Sequence, residues 1–305
     1  MQAQSAVDEA VLVVNGDQLV DSEGVTQVME TFDETSNTVM GVVERENASR
    51  YGVVQLDGPR VTELIEKPEA DDYRLINAGV YAFTENIFRT IEKTPRRDGE
   101  LVLPDAIARQ IEEGAVRAVH IEGLWADATY PWDLLEVATE VLERGRAGDG
   151  GHQEGVWVDA DARIHETATL QAPVVVGPDC EVGPSTVVGP NVALGQNTTV
   201  GSNVTIDRAV VDSDCRIGHG STLVDTVLGQ DVHLGVNVSV PGGPTDVRVH
   251  NRVYEAQPLG AVLSDRVETG GNVSFEPGTL VGTEVTVGTG ALVRGTVSDG
   301  AEVVR

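Results

Sequence analysis

The sequence predicts an α/β sheet domain followed by a left-handed parallel β-helix of hexapeptide repeats. In the first half, short apolar strands alternate with amphipathic helices, which is typical of an α/β sheet. In the second half an aliphatic residue recurs at every sixth position, a period that fits neither a helix nor a single strand. A glycine-rich stretch at residues 146–155 separates the two patterns. We therefore expect domains over residues 1–145 and 156–305, joined by this linker.

The six-residue repeat runs without a slip through nine aliphatic positions. Three six-residue strands are expected to form one triangular coil, with the aliphatic side chains stacked inside and the following glycines at the corners, where φ is restrictive. The only cysteines, Cys180 and Cys215, fall at small-residue positions of the repeat, so we expect buried, unpaired thiols. The repeat continues beyond residue 206 and is interrupted over residues 245–258 by a loop or excursion. The nine positions are Val158, Ile164, Leu170, Val176, Val182, Val188, Leu194, Val200 and Ile206.

The charge is strongly acidic, with 49 acidic against 21 basic residues and a net charge of −28. Because the acidic residues are spread along the whole chain, they argue against nucleic acid and anionic membranes as partners. We interpret them as a halophilic surface, whose self-repulsion is screened in high salt; simple tuning of solubility is the alternative. The sequence shows no membrane-spanning apolar run and no signal-peptide pattern, so we expect a cytoplasmic protein without membrane contact.

The first half is expected to place two aspartates at the carboxyl ends of strands. Asp17 follows an apolar stretch at residues 10–14, which has the composition of a buried parallel strand, and Asp127 comes shortly after the strand at residues 115–121. Two such carboxylates could bind Mg²⁺, although an aspartate at a strand end is more often a turn or cap residue. Further strands are expected at residues 38–43, 51–56, 61–65 and 75–83, and helices at residues 24–35, 85–92, 104–113 and 132–144.

Six short motifs identify a resemblance for this half. They are VVNGD at residues 13–17, YGVV at 51–54, IEKP at 65–68, INAGVY at 76–81, LPD at 103–105 and WADATYPWDLL at 125–135. With these motifs in this order, the half resembles the sugar-1-phosphate nucleotidylyltransferases. In that family a sugar phosphate oxygen attacks the α-phosphorus of a nucleoside triphosphate and pyrophosphate leaves, a reaction catalysed by positioning and charge neutralisation.

The resemblance implies roles for six residues. Asp17 and Asp127 would bind Mg²⁺; Gly52, Glu66 and Asn77 would contact the sugar, and Lys67 its phosphate. Without the flanking motifs, Glu66 and Lys67 would read as a solvated surface pair.

The family's Gly-x-Gly-Thr-Arg loop, which cradles the triphosphate, is absent from this sequence. We therefore expect nucleotidyl transfer to be impaired in this chain alone, and the strand at residues 11–15 to have an exposed edge. A non-catalytic, regulatory paralogue that forms a hetero-oligomer with a full-length relative is an alternative of a different class.

The second half resembles the hexapeptide acyltransferases, and the order of the halves resembles the bifunctional uridylyltransferase/acetyltransferases and their archaeal counterparts. The stretch GHGSTLVD at residues 218–225 matches that family's motif, except that Thr222 and Val224 replace a tyrosine and a glycine. The resemblance implies that His219 is the general base for transfer from acetyl-CoA to an amino-sugar phosphate. A polar corner residue of the coil is an equal alternative. Homotrimerisation through the coil is also implied by this resemblance.

Overall fold

A computed structural model describes residues 7, 9–46, 48–66, 68, 72–97, 99–145, 151–249 and 252–304. The chain divides into two compact units, Met1–Asp127 and Ala128–Arg305. The first is an α/β unit and the second contains the β-helix, as predicted. Residues 146–150 of the expected linker lie outside the described residues. Across the described part of the chain, we find no helix with the length and apolar character needed to span a bilayer.

The first unit alternates strands and helices close to the expected positions. Its helices are α1 (Ser22–Thr35), α2 (Asn86–Lys93) and α3 (Leu103–Glu112), and a short 3-10 helix covers Ala48–Arg50. Its strands are β1 (Ala10–Val14), β2 (Gln18–Val20), β3 (Thr38–Glu44), β4 (Gly52–Asp57), β5 (Arg60–Glu66), β6 (Leu75–Thr84), β7 (Val116–His120) and β8 (Trp125–Asp127).

A six-stranded sheet with the order β1-β6-β3-β7-β5-β4 forms the centre of this unit. In the described residues β3 and β7 pair in parallel, while the other neighbours in this sheet are antiparallel. The prediction that residues 10–14 form a buried parallel strand is wrong. Strand β1 runs antiparallel to β6 at the edge of the sheet, and Leu12 and Val14 are exposed there. The exposed edge itself agrees with the expectation from the sequence.

Helices cover both faces of the sheet. Alternate residues of each strand point to opposite faces, and apolar residues on both faces are buried under these helices. Helix α1 packs through Val28 on one face, whereas α2 and α3 pack on the other through residues such as Phe88 and Ile107. Met29 of the same helix is 48% exposed. Helix α1 ends at Ser36, whose left-handed backbone lets its N–H reach the carbonyl of Phe32 at 2.8 Å.

The second unit begins with α4 (Asp133–Glu143) and continues into the coil. One of its sheets has eight strands stacked in parallel, which gives a left-handed β-helix of about eight turns. Strands β9 to β32 are, in order, Gly151–Gln153, Val156–Val158, Arg163–Ile164, Thr169–Leu170, Val174–Val176, Glu181–Val182, Val187–Val188, Val192–Leu194, Thr199–Val200, Thr205–Val211, Arg216–Ile217, Thr222–Leu228, His233–Leu234, Ser239–Val240, Pro244–Val249, Arg252–Pro258, Ala261–Leu263, Glu268–Thr269, Ser274–Phe275, Thr279–Val281, Thr286–Val287, Leu292–Val293, Thr296–Val297 and Glu302–Val303.

The interior of the coil is the stack of aliphatic residues that the repeat predicts. Val182 pairs with Val200 and Val200 with Ile217, so equivalent residues lie above one another in successive turns. Val158, Ile164 and Leu170, at the first turn, are only partly buried, and the other six repeat positions are buried. Cys180 and Cys215 are buried, free thiols in the same core, as expected.

The corners of the coil are built differently from the expectation. At most of them the left-handed residue is not the repeat glycine but a polar residue two positions later, such as Ser185 (φ 57°) or Asn203 (φ 54°). Asparagine and aspartate tolerate this conformation better than other residues with side chains. The glycines are needed because neighbouring turns approach closely: a Cβ on Gly183 would lie 2.8 Å from the backbone of Gly201.

The interruption at residues 245–258 is a β-hairpin of Pro244–Val249 and Arg252–Pro258 rather than a loop. It packs beside the start of α4, where Trp132 stacks on Tyr130 with ring centroids 4.7 Å apart. Tyr254 of the hairpin hydrogen-bonds to the hydroxyl of Tyr130. Helix α4, which we assigned to the first domain, therefore packs within the second unit, and Leu135 is buried against the coil.

The stacked interior predicts that substitutions at two neighbouring positions of one strand change the free energy of unfolding by very different amounts. Ile206 is fully buried and Thr205, beside it, is exposed. Ile206→Ala should lower the free energy of unfolding of the coil by about 2–5 kcal/mol, because it leaves a cavity that the neighbouring turns cannot close. Thr205→Ala, the matched control, should change it by less than about 0.5 kcal/mol. Guanidinium unfolding in high salt, followed by circular dichroism, checks this, and equal midpoints for the two variants would contradict the inward assignment.

Candidate active site

Strand pairing brings together three of the residues expected to contact a sugar. Gly52 of β4 lies opposite Glu66 of β5, and the next residue of β4, Val53, lies opposite Ile76 of β6. The antiparallel register therefore places Gly52 next to Asn77. A Cβ on Gly52 would be 2.9 Å from Oε1 of Glu66, so the carboxylate lies directly over the glycine backbone. A side chain at this position would displace the carboxylate.

The amide of Asn77 is held at both ends. Its Nδ2 donates a hydrogen bond of 2.6 Å to the hydroxyl of Tyr81, and its Oδ1 accepts one of 3.0 Å from the N–H of Gly79. Gly79 has φ 70°, and a Cβ at this position would collide with the side chains of Gln18 and Asn15. The turn after β1 thus packs onto the glycine of β6, and the backbone N–H of Asn15 also binds the Gly79 carbonyl at 2.9 Å.

Tyr81 is a buried residue of this site to which the sequence analysis gave no role. The pKa of its phenol is raised to about 12, chiefly by burial; the negative charges of Glu66 and Asp17 also raise this pKa, and the hydrogen bond from Asn77 lowers it. Its hydroxyl is therefore neutral at any physiological pH. The signal that could have identified it is its position at the end of the INAGVY motif.

The two aspartates expected to bind a metal lie at neighbouring positions of a small sheet. Strands β2 and β8 pair antiparallel with Gln18 opposite Asp127, and Asp17 immediately precedes Gln18. Within the described residues no group of three or more His, Cys, Asp or Glu side chains is placed to hold a metal ion. Two carboxylates nevertheless suit Mg²⁺, which keeps several water ligands and takes others from substrate phosphates. The chemistry of these two side chains therefore fits this ion.

The strand that carries Asp127 is fixed by contacts that the sequence did not reveal. The indole N–H of Trp125 donates to the carbonyl of Ala78 at 2.9 Å. The guanidinium of Arg45 lies 4.9 Å from the centre of the Trp125 ring and donates to the Trp125 carbonyl. The ring of Tyr51 meets the indole edge-on at 5.6 Å. Arg45, which we did not single out, thus supports β8 through a cation–π contact and a hydrogen bond.

The position of Lys67 lies outside the described residues, so its role as the phosphate contact stays a prediction. The other proposed site residues lie on or beside strands that pair with one another. These pairings are β4 with β5, β4 with β6, and β2 with β8.

His219 lies on the coil and is exposed. Its Nδ1 accepts a hydrogen bond of 2.8 Å from the backbone N–H of Ser202, and the Ser202 hydroxyl is 2.9 Å from the same nitrogen. Since Nδ1 is the acceptor, the neutral ring carries its hydrogen on Nε2. A general base needs a free lone pair on the ring. In His219 the lone pair of Nδ1 already accepts the hydrogen bond that links two turns of the coil.

Asp225, the aspartate at the end of the same motif, also has structural partners. Its Oδ1 accepts from Nε of Arg208 at 2.5 Å, and its Oδ2 accepts from the N–H of Gly243 at 2.9 Å. It therefore ties the preceding turn of the coil to the start of the hairpin.

Comparisons with known proteins agree with this architecture. Residues 1–144 match the nucleotidyl transferase family, and residues 170–298 match the GMPPB C-terminal domain. The bifunctional protein GlmU of Methanocaldococcus jannaschii is 32% identical over 308 residues, which span 96% of this chain and 74% of that protein. A bifunctional sugar-1-phosphate nucleotidylyltransferase/acetyltransferase of Sulfurisphaera tokodaii is 29% identical over 96% of this chain and 76% of its own length. The low-salt glycan biosynthesis nucleotidyltransferase Agl11 of Haloferax volcanii is 32% identical over 75% of this chain and 66% of its own length.

The fold and the site thus define a nucleotidyltransferase domain joined to a β-helix. The chain belongs to the sugar-1-phosphate nucleotidyltransferase family, in the GlmU-like form of the archaeal bifunctional proteins.

The surroundings of Tyr81 predict how its ionisation responds to substitutions. Asp17→Asn and Glu66→Gln should each lower the pKa of Tyr81 from about 12, because each removes a negative charge that opposes the phenolate. Asn77→Ala should raise it, since the hydrogen bond from Asn77 favours the phenolate. Alkaline absorbance titration measures the tyrosinate, with Tyr81→Phe identifying the step that belongs to this residue.

Glu63→Gln is the control for this titration, because Glu63 is an exposed acid on the same strand as Glu66. It should leave the Tyr81 step in place. An unchanged step in both Asp17→Asn and Glu66→Gln would show that the two carboxylates do not face this hydroxyl.

Proposed function

We propose that this chain binds a sugar 1-phosphate and takes part in transferring a nucleotidyl group to it from a nucleoside triphosphate, with release of pyrophosphate. The observation that carries the proposal is the gathering of Gly52, Glu66 and Asn77 by strand register. Both Glu66 and Asp17 act on the pKa of Tyr81, so the sugar-binding and metal-binding groups lie within electrostatic reach of one hydroxyl. The family membership supports the same reaction.

The sugar end of the site is proposed to recognise hydroxyl groups. The carboxylate of Glu66 accepts hydrogen bonds from sugar hydroxyls, and charged acceptors bind such donors strongly. The amide of Asn77 is fixed by Tyr81 and Gly79 and needs no reorganisation on binding. Because Glu66 repels a phosphate, we propose that the phosphate of the sugar is contacted by a cation, Lys67, and not by Glu66.

The metal end is proposed to consist of Asp17 and Asp127. A bound Mg²⁺ would neutralise charge on the triphosphate and on the leaving pyrophosphate. The residues of this chain hold it in place: β2 and β8 keep the two aspartates at adjacent positions, and Trp125 anchors β8 to β6.

We propose that the chain acts as a homotrimer or as a hetero-oligomer with a relative. A purely regulatory paralogue remains the alternative of a different class. The acidic surface suits a cytoplasm of high salt, and the 32% identical Haloferax protein supports this setting.

Pyrophosphate release tests the proposal. The purified chain, in high salt with Mg²⁺, is offered a panel of nucleoside triphosphates and sugar 1-phosphates. Asp17→Asn should lower kcat by about a hundredfold or more, because it removes a preorganised charge at the metal. Glu66→Gln should chiefly raise KM for the sugar phosphate, since it weakens a contact to a part of the substrate that does not react.

Glu63→Gln is the matched control, because it removes the same charge from the same strand and should match the wild type. Where turnover is too slow to measure, calorimetric binding of the sugar 1-phosphates replaces it, and Glu66→Gln should weaken that binding. Equal behaviour of Glu66→Gln and Glu63→Gln in both measurements would rule out the proposed sugar site.

Acetyl transfer through His219 is tested separately, with acetyl-CoA and amino-sugar 1-phosphates as substrates. The name of the Sulfurisphaera tokodaii relative includes this activity, but Nδ1 of His219 accepts the Ser202 N–H. We therefore expect that His219→Ala leaves any acetyl transfer by the chain within about threefold of the wild type, far less than the roughly 100-fold or more that loss of a general base costs. A loss of that size in His219→Ala, with circular dichroism unchanged, would restore the histidine as the base.

A further inference from the structure

A second polar cavity of about 360 Å³ lies in the first unit, away from the sugar and metal residues. Its walls include Thr38, the first residue of β3, and Thr84, the last residue of β6. The candidate active site uses the other end of β6, where Asn77 lies opposite Val42 of β3. The cavity, here named the basic pocket, therefore lies at the opposite ends of the same two strands, β3 and β6.

The charge of the basic pocket contrasts with that of the chain. The sequence has more than two acidic residues for each basic one. The pocket is lined by three basic residues, Arg89, Lys93 and Arg109, and one acidic residue, Glu113. Lys93 is one of only two lysines in the chain. Arg89 and Lys93 are exposed and Arg109 is half-buried, so these cations are accessible to a ligand from the solvent.

Helix α2 presents two of these cations by its spacing. Asn86, Arg89, Thr90 and Lys93 follow one another at short helical intervals, so they share one face, while Ile87 and Phe88 are buried on the other. Lys93 lies in the last turn of α2, where a cation also favours the helix dipole. Arg89 lies a turn earlier and gains little from that effect. Among the residues that the structure describes, neither side chain has an ion-pair partner.

The rest of the pocket is held in place by hydrogen bonds. Arg109 of α3 donates to the carbonyl of Lys93 at 2.9 Å, which fixes its guanidinium at the rim. Below it, the hydroxyl of Thr38 donates to Oε1 of Gln110 at 2.9 Å, and both of these side chains are 4% exposed. Hydroxyl and amide groups thus accompany the cations in a formed cavity.

We propose that the basic pocket binds a small anion carrying more than one phosphate charge, such as a pyrophosphate or the diphosphate part of a nucleotide. Arginine and lysine with neighbouring hydroxyls are the donors that recognise phosphate oxygens. The volume exceeds that of one inorganic phosphate. A long polyanion is excluded because the surrounding surface is acidic. Molar salt screens that surface within a few ångströms but leaves direct contacts in the pocket.

The position of the pocket connects it with the proposed transferase site. Strand β6 carries Asn77 and Tyr81 and ends at Thr84 in the pocket wall, and β3 begins there at Thr38. A ligand at the pocket would thus contact the two strands that position the sugar-binding amide. The binding itself is independent of whether the chain transfers nucleotides.

Calorimetric titration with pyrophosphate in molar KCl, with EDTA to remove metals, tests the proposal. The wild type should bind, and the double variant Arg89→Gln/Lys93→Gln should bind about tenfold more weakly or worse, because two charge-assisted contacts are lost. Lys93→Arg should bind within about threefold of the wild type, since it keeps the charge. The folding of each variant is verified by its thermal transition; Arg109 is left intact because it holds the end of α2.

Two control variants separate binding in the basic pocket from general attraction to cations and from binding at the sugar-phosphate site. Arg163→Gln/Arg266→Gln removes the same charge from exposed arginines of the coil and should leave the affinity unchanged. Lys67→Gln should also leave it unchanged, because that residue belongs to the proposed sugar-phosphate site. The proposal is overturned if the wild type does not bind pyrophosphate. It is also overturned if the coil control weakens binding as much, or if Lys67→Gln abolishes binding while Arg89→Gln/Lys93→Gln does not.

Discussion

The pairing of β6 with three other strands is the constraint on which the first unit depends. Strands β1, β3 and β4 all hydrogen-bond to it, and its alternate residues enter the cores on both faces of the sheet. At Gly79 the strand adopts a left-handed conformation, and the missing side chain leaves room for Asn15 and Gln18. The same residue therefore shapes the strand and seats the turn that carries Asp17. A larger residue here would affect the fold and the site together.

Local patterns predicted much of this structure, and long-range pairing explains what they missed. The six-residue repeat is local, so the coil and its buried cysteines followed directly from it. The motifs identified Glu66 and Asn77, but only the register of β4 with its neighbours shows that they meet. The direction of β1 could not be predicted, because apolar composition does not distinguish an edge strand from a buried parallel one. The excursion at residues 245–258 could not be identified as a hairpin, because the six-residue period stops there and gives no strand register.

Cations are scarce in this chain, and most of the partly buried ones have an identifiable task. Arg45 holds the indole and the carbonyl of Trp125, Arg208 binds the carboxylate of Asp225, and Arg109 binds the end of α2. Each joins two elements that are distant in the sequence. In an acidic protein each such cation contributes more to stability, because few other positive charges are available to balance the carboxylates. Arg89 and Lys93 differ from these residues, because they are exposed, line a cavity and have no ion-pair partner among the described residues.

His219 and Asp225 of the GHGSTLVD stretch show why the role of a motif in a repeat protein must be judged from its geometry. Each turn of the coil must satisfy the backbone groups at its corners, and the same corner returns in every turn. His219 meets this need by accepting the N–H of Ser202 from the turn before it, and Asp225 by binding Arg208 and the N–H of Gly243. Both residues thus have structural contacts that do not depend on acyl transfer. The contacts within the coil therefore explain why His219 and Asp225 occur in this stretch. A catalytic role for His219 would need a free lone pair on its ring.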